Sequence, residues 1–88
     1  MNKRRRKELL HVVEQLNMQC DEINSLREML EEIKNQEEEY LENMPENMQD
    51  GEKAQKAQED IDSMQEAVDG LVEIVDNIED YTNKLIEI

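Results

Sequence analysis

From Ala54 onward, apolar or small residues recur at Ala54, Ala57, Ile61, Met64, Val68, Leu71, Val75, Ile78, Thr82 and Leu85, in steps of three and four without a break. That spacing is a heptad stripe, the seam of a helix that packs against another helix. The first half of the chain carries a related stripe: Leu9, Val13, Leu16, Cys20, Ile23, then Leu26, Leu30, Ile33, Glu37, Tyr40 and Met44. Between Ile23 and Leu26 a step of three replaces one of four. This predicts a stammer, a local overwinding beyond which the stripe continues on a slightly rotated face. No helix breaker stands between Glu8 and Asn43, so a single first helix is expected.

The two stripes are separated by the only proline and the first of two glycines, within the string EEEYLENMPENMQDGEK. Pro45 lacks an N–H and disfavours α conformation at Met44, so the first helix should stop near Asn43. Asn47 or Asp50 can cap the second helix, and Glu46, Asp50 and Glu52 suit its positive end. The predicted elements are helix one over about 4–43, a turn over 44–51 and helix two over about 52–86, in one domain. Nearly equal arms of roughly 55 Å, joined by one short connection, favour an antiparallel hairpin. A continuous helix through Pro45 would cost about 3 kcal/mol and leave both seams wet. The expected fold class is all-α, a coiled-coil-like antiparallel two-helix hairpin.

Its apolar surface is wider than one seam near the termini. Helix two adds Ala67, Ile74 and Tyr81 on one flank and Val72 and Ile86 on the other, while helix one adds Leu10 and Val12. Two helices cannot cover flanks on both sides, so a homo-oligomer is expected, most simply a symmetric four-helix dimer, with a larger bundle as the alternative. Gly70 falls on an outward position of helix two, where it either permits a bend or a close approach between subunits or reflects neutral drift.

Charge divides the chain unevenly. Five of the ten basic residues form the run Lys3, Arg4, Arg5, Arg6, Lys7; all 24 acids and the other five bases lie from Glu8 onward, a net −19 for that body. Such a body repels nucleic acid and anionic lipid, and no run approaches the ~18 apolar residues of a membrane span. The basic start leads into ELLHVVEQL, which lacks the apolar core of a signal peptide. The expected setting is the cytosol in which the chain is made, and the lone Cys20 suits a reducing compartment.

Two regions are candidate sites. Near the bend, Glu38, Glu39, Tyr40, Glu42, Met44, Glu46 and Met48 form an acidic rim around Tyr and Met anchors. They compose a recognition tip for a partner, or else a solvated face with Tyr40, Met44 and Met48 closing the hairpin core. The run from Lys3 to Lys7 stands at the positive end of a helix, where something should compensate it. In a hairpin, Glu79, Asp80, Glu87 and the terminal carboxylate reach the same end and can neutralise it. If several chains converge there, the run together with Tyr81 can instead hold a phosphate-bearing ligand.

Catalytic chemistry finds little purchase. Glu8 and His11 make a Glu-x-x-His pair, half of a di-iron helix-bundle motif, but there is one His and a basic run beside it. Cys20 lies on the inner stripe and reads as a small buried hydrophobe, with no base nearer than His11. Phosphate-cradling glycine loops are missing, since Gly51 and Gly70 stand alone. No enzyme activity, metal or cofactor is expected.

The turn string EEEYLENMPEN, the start NKRRRKEL and the acidic heptad second helix resemble a group of short uncharacterised helical proteins from phages and prophages of Bacillota. The matching positions are Lys3 to Lys7, Tyr40, Asn43, Met44, Pro45 and Glu46. The resemblance transfers no catalytic residue and implies a phage setting, in which small acidic helical proteins occupy the nucleic-acid surface of a host protein. The expected function is thus a non-enzymatic interaction protein that binds a basic surface of a host or phage protein, including as an inhibitor of antiviral defence. The alternatives are an oligomeric binder of a nucleotide-like ligand, such as a cyclic nucleotide, and a structural phage assembly factor.

Overall fold

A computed structural model describes residues 1–88 as a rod of 70 × 15 × 13 Å. Helix α1 spans Lys3–Glu42, a single 3₁₀ turn spans Glu46–Met48, and helix α2 spans Glu52–Ile86. The helices run antiparallel along their length, and there is no strand.

Each end of each helix has a local cause. The Asn2 side-chain oxygen accepts the Arg5 N–H at 2.8 Å and caps α1. That cap matters because the first turn holds no acid and is instead built from the basic run. At the bend, Asn43 and Met44 donate their N–H groups to Glu39 and Leu41 (3.0 and 3.2 Å), and Pro45 turns the chain at φ −54°, ψ 142°. The Gln49 amide covers the Met44 carbonyl at 3.2 Å.

The cap of α2 differs from expectation. Neither Asn47 nor Asp50 serves; Gly51 occupies the cap position, in extended conformation and without a side-chain bond. The 3₁₀ turn consumes Asn47, and the Gly51 N–H closes onto the Met48 carbonyl at 3.1 Å. A β-carbon on Gly51 would stand 3.3 Å from that same oxygen, so the close approach rather than an unusual φ favours glycine here.

Lys34 donates to the Gln65 side chain at 2.7 Å, which sets the register: Lys34 lies opposite the Met64–Gln65 step, Cys20 opposite Ile78–Glu79, and Val13 opposite Leu85. Val13, Cys20, Met44, Ala54, Ala57, Ile61, Val68, Val75 and Thr82 are the nine buried residues, a thin seam with no second layer. Thr82 joins it at little cost because its hydroxyl donates to the Glu79 carbonyl at 2.9 Å.

No stammer occurs. The α1 seam continues from Ile23 through Arg27, Leu30, Lys34, Glu37 and Leu41 to Met44 in unbroken steps of four and three, all buried or half-buried. Leu26, Ile33 and Tyr40, which the apolar pattern assigns to the seam, face solvent at 55, 54 and 49% exposure. Keeping the register avoids overwinding the helix, and it is possible because arginine and lysine lay their aliphatic stems in the seam while their charged heads reach its edge. Arg27 meets Glu31 at 3.1 Å and Lys34 meets Glu38 at 3.4 Å.

Candidate functional site

The hairpin has two flanks, and the heptad period sorts residues between them. Tyr40, Lys53 and Asp60 line one shallow depression near the bend, so these three share a side. Steps of seven carry that side along α1 to Ile33, Leu26 and Val12, and along α2 to Ala67, Ile74, Tyr81 and Ile88. On the opposite side Lys34 joins Gln65 and Glu38, and steps of seven from these lead to Val72, Ile86 and Leu10.

The expected oligomer residues are therefore distributed unequally. Val12, Ala67, Ile74 and Tyr81 belong to the Tyr40 flank, together with Leu26 and Ile33, which the mistaken stammer had placed inside. Met29 extends it at 60% exposure. On the Lys34 flank the apolar residues are sparse: Val72 stands at mid-rod, and Leu10 and Ile86 stand near the open end.

At the bend the structure separates the anchors. Met44 is buried and closes the end of the seam, so it does not present itself to a partner. Tyr40 and Met48 remain exposed beside Glu39, Glu42 and Glu46. Glu38 is half-buried and paired to Lys34. The side of the bend nearest Tyr40 also holds cations: Lys56 bonds Asp60 at 2.9 Å, and that hydrogen bond, with the carboxylate's charge, raises the lysine pKa. A second depression, lined by Leu41, Glu42, Gln49 and Asp50, carries acid alone. Both depressions lie at the turn end, and neither touches the basic run or Tyr81.

The basic run overhangs. Residues Lys3 to Glu8 are all exposed, Leu9 is only half-buried and Val13 is the first buried residue of α1. With Val13 opposite Leu85, α2 ends before it can flank the run. The expected neutralisation by Glu79, Asp80, Glu87 and the terminal carboxylate does not form; Arg4 pairs at 3.7 Å with Glu8 of its own helix, and no ion pair crosses to α2. The α1 helix is five residues longer than α2, and its overhanging end carries the charge.

The outer surface of α2 holds a feature that the sequence reading passed over. Glu59, Asp62, Glu66, Asp69, Glu73, Asp76 and Asp80 recur in steps of three and four, and all seven are exposed. Such steps align them in one ladder about 32 Å long, an acid about every 5 Å. No cation pairs with any of them. Gln58 and Gln65 donate to Asp62 and Asp69 at 2.9 Å, which ties the ladder to the Lys34 side of the rod. The acids of α2 show the same period as its apolar seam, and that periodicity was the available signal.

Cys20 is buried at 3% exposure; burial raises its thiol pKa above the ordinary value near 9, and Glu79 and Asp21 add to the shift. A thiol held protonated is a poor nucleophile. Glu8 and His11 are both exposed, and no three His, Cys, Asp or Glu side chains are grouped to hold a metal ion. No helix is long and apolar enough to cross a membrane. Comparison with protein-family models, curated proteins and solved structures finds no match.

Proposed function

We propose that this chain is a non-enzymatic, phage-type interaction protein: an acidic helical hairpin that self-associates and occupies the basic, nucleic-acid-binding surface of a host or phage protein, including one of antiviral defence. The α2 ladder carries the reading. Seven carboxylates in line without ion-pair partners maintain a strong negative field along a stiff support, and a duplex strand offers one phosphate per roughly 3.4 Å of its axis. A groove lined with Lys and Arg that accepts phosphates has the charge to accept such a ladder.

The test is affinity capture of the tagged chain in a Bacillota host, followed by competition. The expected partner is basic, is displaced by duplex DNA, and binds more weakly as salt rises. Replacing Glu66, Asp69, Glu73 and Asp76 with their amides should abolish capture while the helical signal persists. Recovery of no basic partner from low to physiological salt defeats the reading.

The exposed run from Lys3 to Lys7, which no acid of α2 pairs, supports a second reading, in which several chains bring their runs together around a phosphate-bearing ligand such as a cyclic nucleotide. A ligand that binds only the folded protein must raise its melting temperature. A nucleotide and cyclic-dinucleotide thermal-shift screen without any rise removes that alternative.

A further inference from the structure

The geometry points to a second copy of this chain, laid antiparallel across the Tyr40 flank, as the occupant of its exposed apolar stripe. The inference rests on the self-association in the proposed function and specifies its face and direction.

Composition selects the face. Leu26, Met29, Ile33, Ile74 and Tyr81 are each 47–64% exposed, and the same strip of α2 between Ser63 and Ile88 contains no acid and a single cation, Lys84, whose ammonium lies 5.6 Å from the centre of the Tyr81 ring. The opposite flank offers three apolar residues, Val72 at mid-rod and Leu10 and Ile86 near the open end, beside the acid ladder. A surface depleted of charge and enriched in Tyr, Met and aliphatic side chains has the composition of an interface core. Size is adequate too: one face of a 70 × 15 Å rod approaches 1,000 Å², against roughly 800 Å² per partner in a standard stable complex.

Charge selects the direction. A parallel pair would set two basic runs side by side at one end and two acid-rich bends at the other. An antiparallel pair instead lays each overhanging Lys3–Lys7 run along the Glu39, Glu42 and Glu46 bend of its mate, supplying the compensation that α2 does not reach to give. A two-fold axis at mid-rod then passes beside Leu26, which meets its own copy, and sets Val12 against the second copy's Tyr40. On α2 the same axis sets Ile74 against the second copy's Gly70. A β-carbon at Gly70 would meet nothing within 4 Å in the single chain, so the notch is open to receive that side chain. The acid ladder stays outside the contact on both copies.

The experiment uses the full chain. Sedimentation should show a dimer, and Leu26→Glu with Ile33→Glu should weaken it at least 100-fold; both positions are exposed, so the helical signal should be retained. In a Cys20→Ala background, Leu26→Cys should form an inter-chain disulfide on oxidation and Val72→Cys should not. Spin labels on Lys7→Cys, in the same background, should lie most of a rod length apart in the dimer. A monomer at all concentrations, cross-linking through Val72→Cys instead of Leu26→Cys, or a short label distance overturns the proposal; the last would also favour the converging-run reading. Because the ladder lies outside this contact, the monomeric variant should still compete with DNA for a basic partner. Loss of dimer and loss of partner binding are thus separate results.

Discussion

The open half of the hairpin, near the termini, and the half next to the bend solve the same packing problem with opposite materials. In the open half, Val13, Leu16, Cys20 and Ile23 face Val75, Ile78, Thr82 and Leu85, medium-sized side chains from both helices. In the bend half, α1 supplies long side chains, Arg27, Lys34, Glu37, Leu41 and Met44, and α2 answers at its end with Ala54 and Ala57, both nearly sealed from solvent. Long opposite small keeps the two axes at an even distance. That pairing sets Leu41 and Met44 against Ala57 and Ala54, whereas Arg27 and Lys34 lie nearer mid-rod; a charged residue in the seam is tolerable there because its stem is long and its head finds an acid at the edge.

A charge without those provisions should be costly. Val75→Asp places a short carboxylate in the apolar seam of the open half, and should destabilise by about 3–5 kcal/mol, enough to unfold a domain this thin. Loss of the helical circular-dichroism signal at ambient temperature checks it. A stable, fully helical variant would mean that the open half does not depend on apolar burial.

The reciprocal intervention enlarges the small side of the bend half. Ala57 is 1% exposed, so Ala57→Leu must push the helices apart or force off-rotamer side chains, at about 1–3 kcal/mol. A lowered urea midpoint is expected, and an unchanged one would deny that small size is required there.

Those two halves also differed in how readily they could be read from sequence. The α2 seam was legible throughout, because every seam position is apolar or small and the steps never falter. The hairpin followed from Pro45 and the equal arms. On α1 the apolar pattern misled after Ile23, because Leu26, Ile33 and Tyr40 compose a second stripe one position away from the true seam. An apolar count prefers that stripe to one containing Arg27 and Lys34, and only the partner helix reveals that cationic stems fill the seam. The acidic bend was visible as composition, but the burial of Met44 and the overhang of the basic run depend on register, which no single helix encodes. The α2 ladder was equally visible as a period in the acids, but acid density, which peaks at the bend, does not reveal it.

Exchanging the seam cations removes charge from the bend half. Arg27 retains a buried Nε–H without a partner, so its place in the seam is tolerated rather than optimal. Arg27→Met with Lys34→Met keeps the long stems, removes the orphaned donor and should stabilise the hairpin by about 1–2 kcal/mol, read as a raised urea midpoint. Destabilisation instead would show that the links to Glu31, Glu38 and Gln65 outweigh the desolvation of the two cations.

The smallest expected effect tests the open half at the heptad position equivalent to Arg27 and Lys34. Cys20 stands seven residues before Arg27, and raising the pH converts it from a neutral filler into an anion facing Glu79, with Asp21 adjacent. Burial, Glu79 and Asp21 all hold its folded pKa above the ordinary value near 9. The unfolded chain therefore gives up its thiol proton first as pH rises. Between the ordinary value and the raised folded value the native state binds more protons, and stability must fall with increasing pH; below that window the contribution is fully present. The slope is a fraction of the about 1.4 kcal/mol per pH unit that one whole proton would give. Other groups titrate in the same range, so the measurement is a difference: urea midpoints of the native chain and of Cys20→Val, from about pH 8 to about pH 10, either side of the ordinary thiol value. The native chain should lose stability more steeply than the valine variant. Parallel slopes would place the thiol in a solvated site and remove the contrast between an apolar open half and a bend half that accommodates charge.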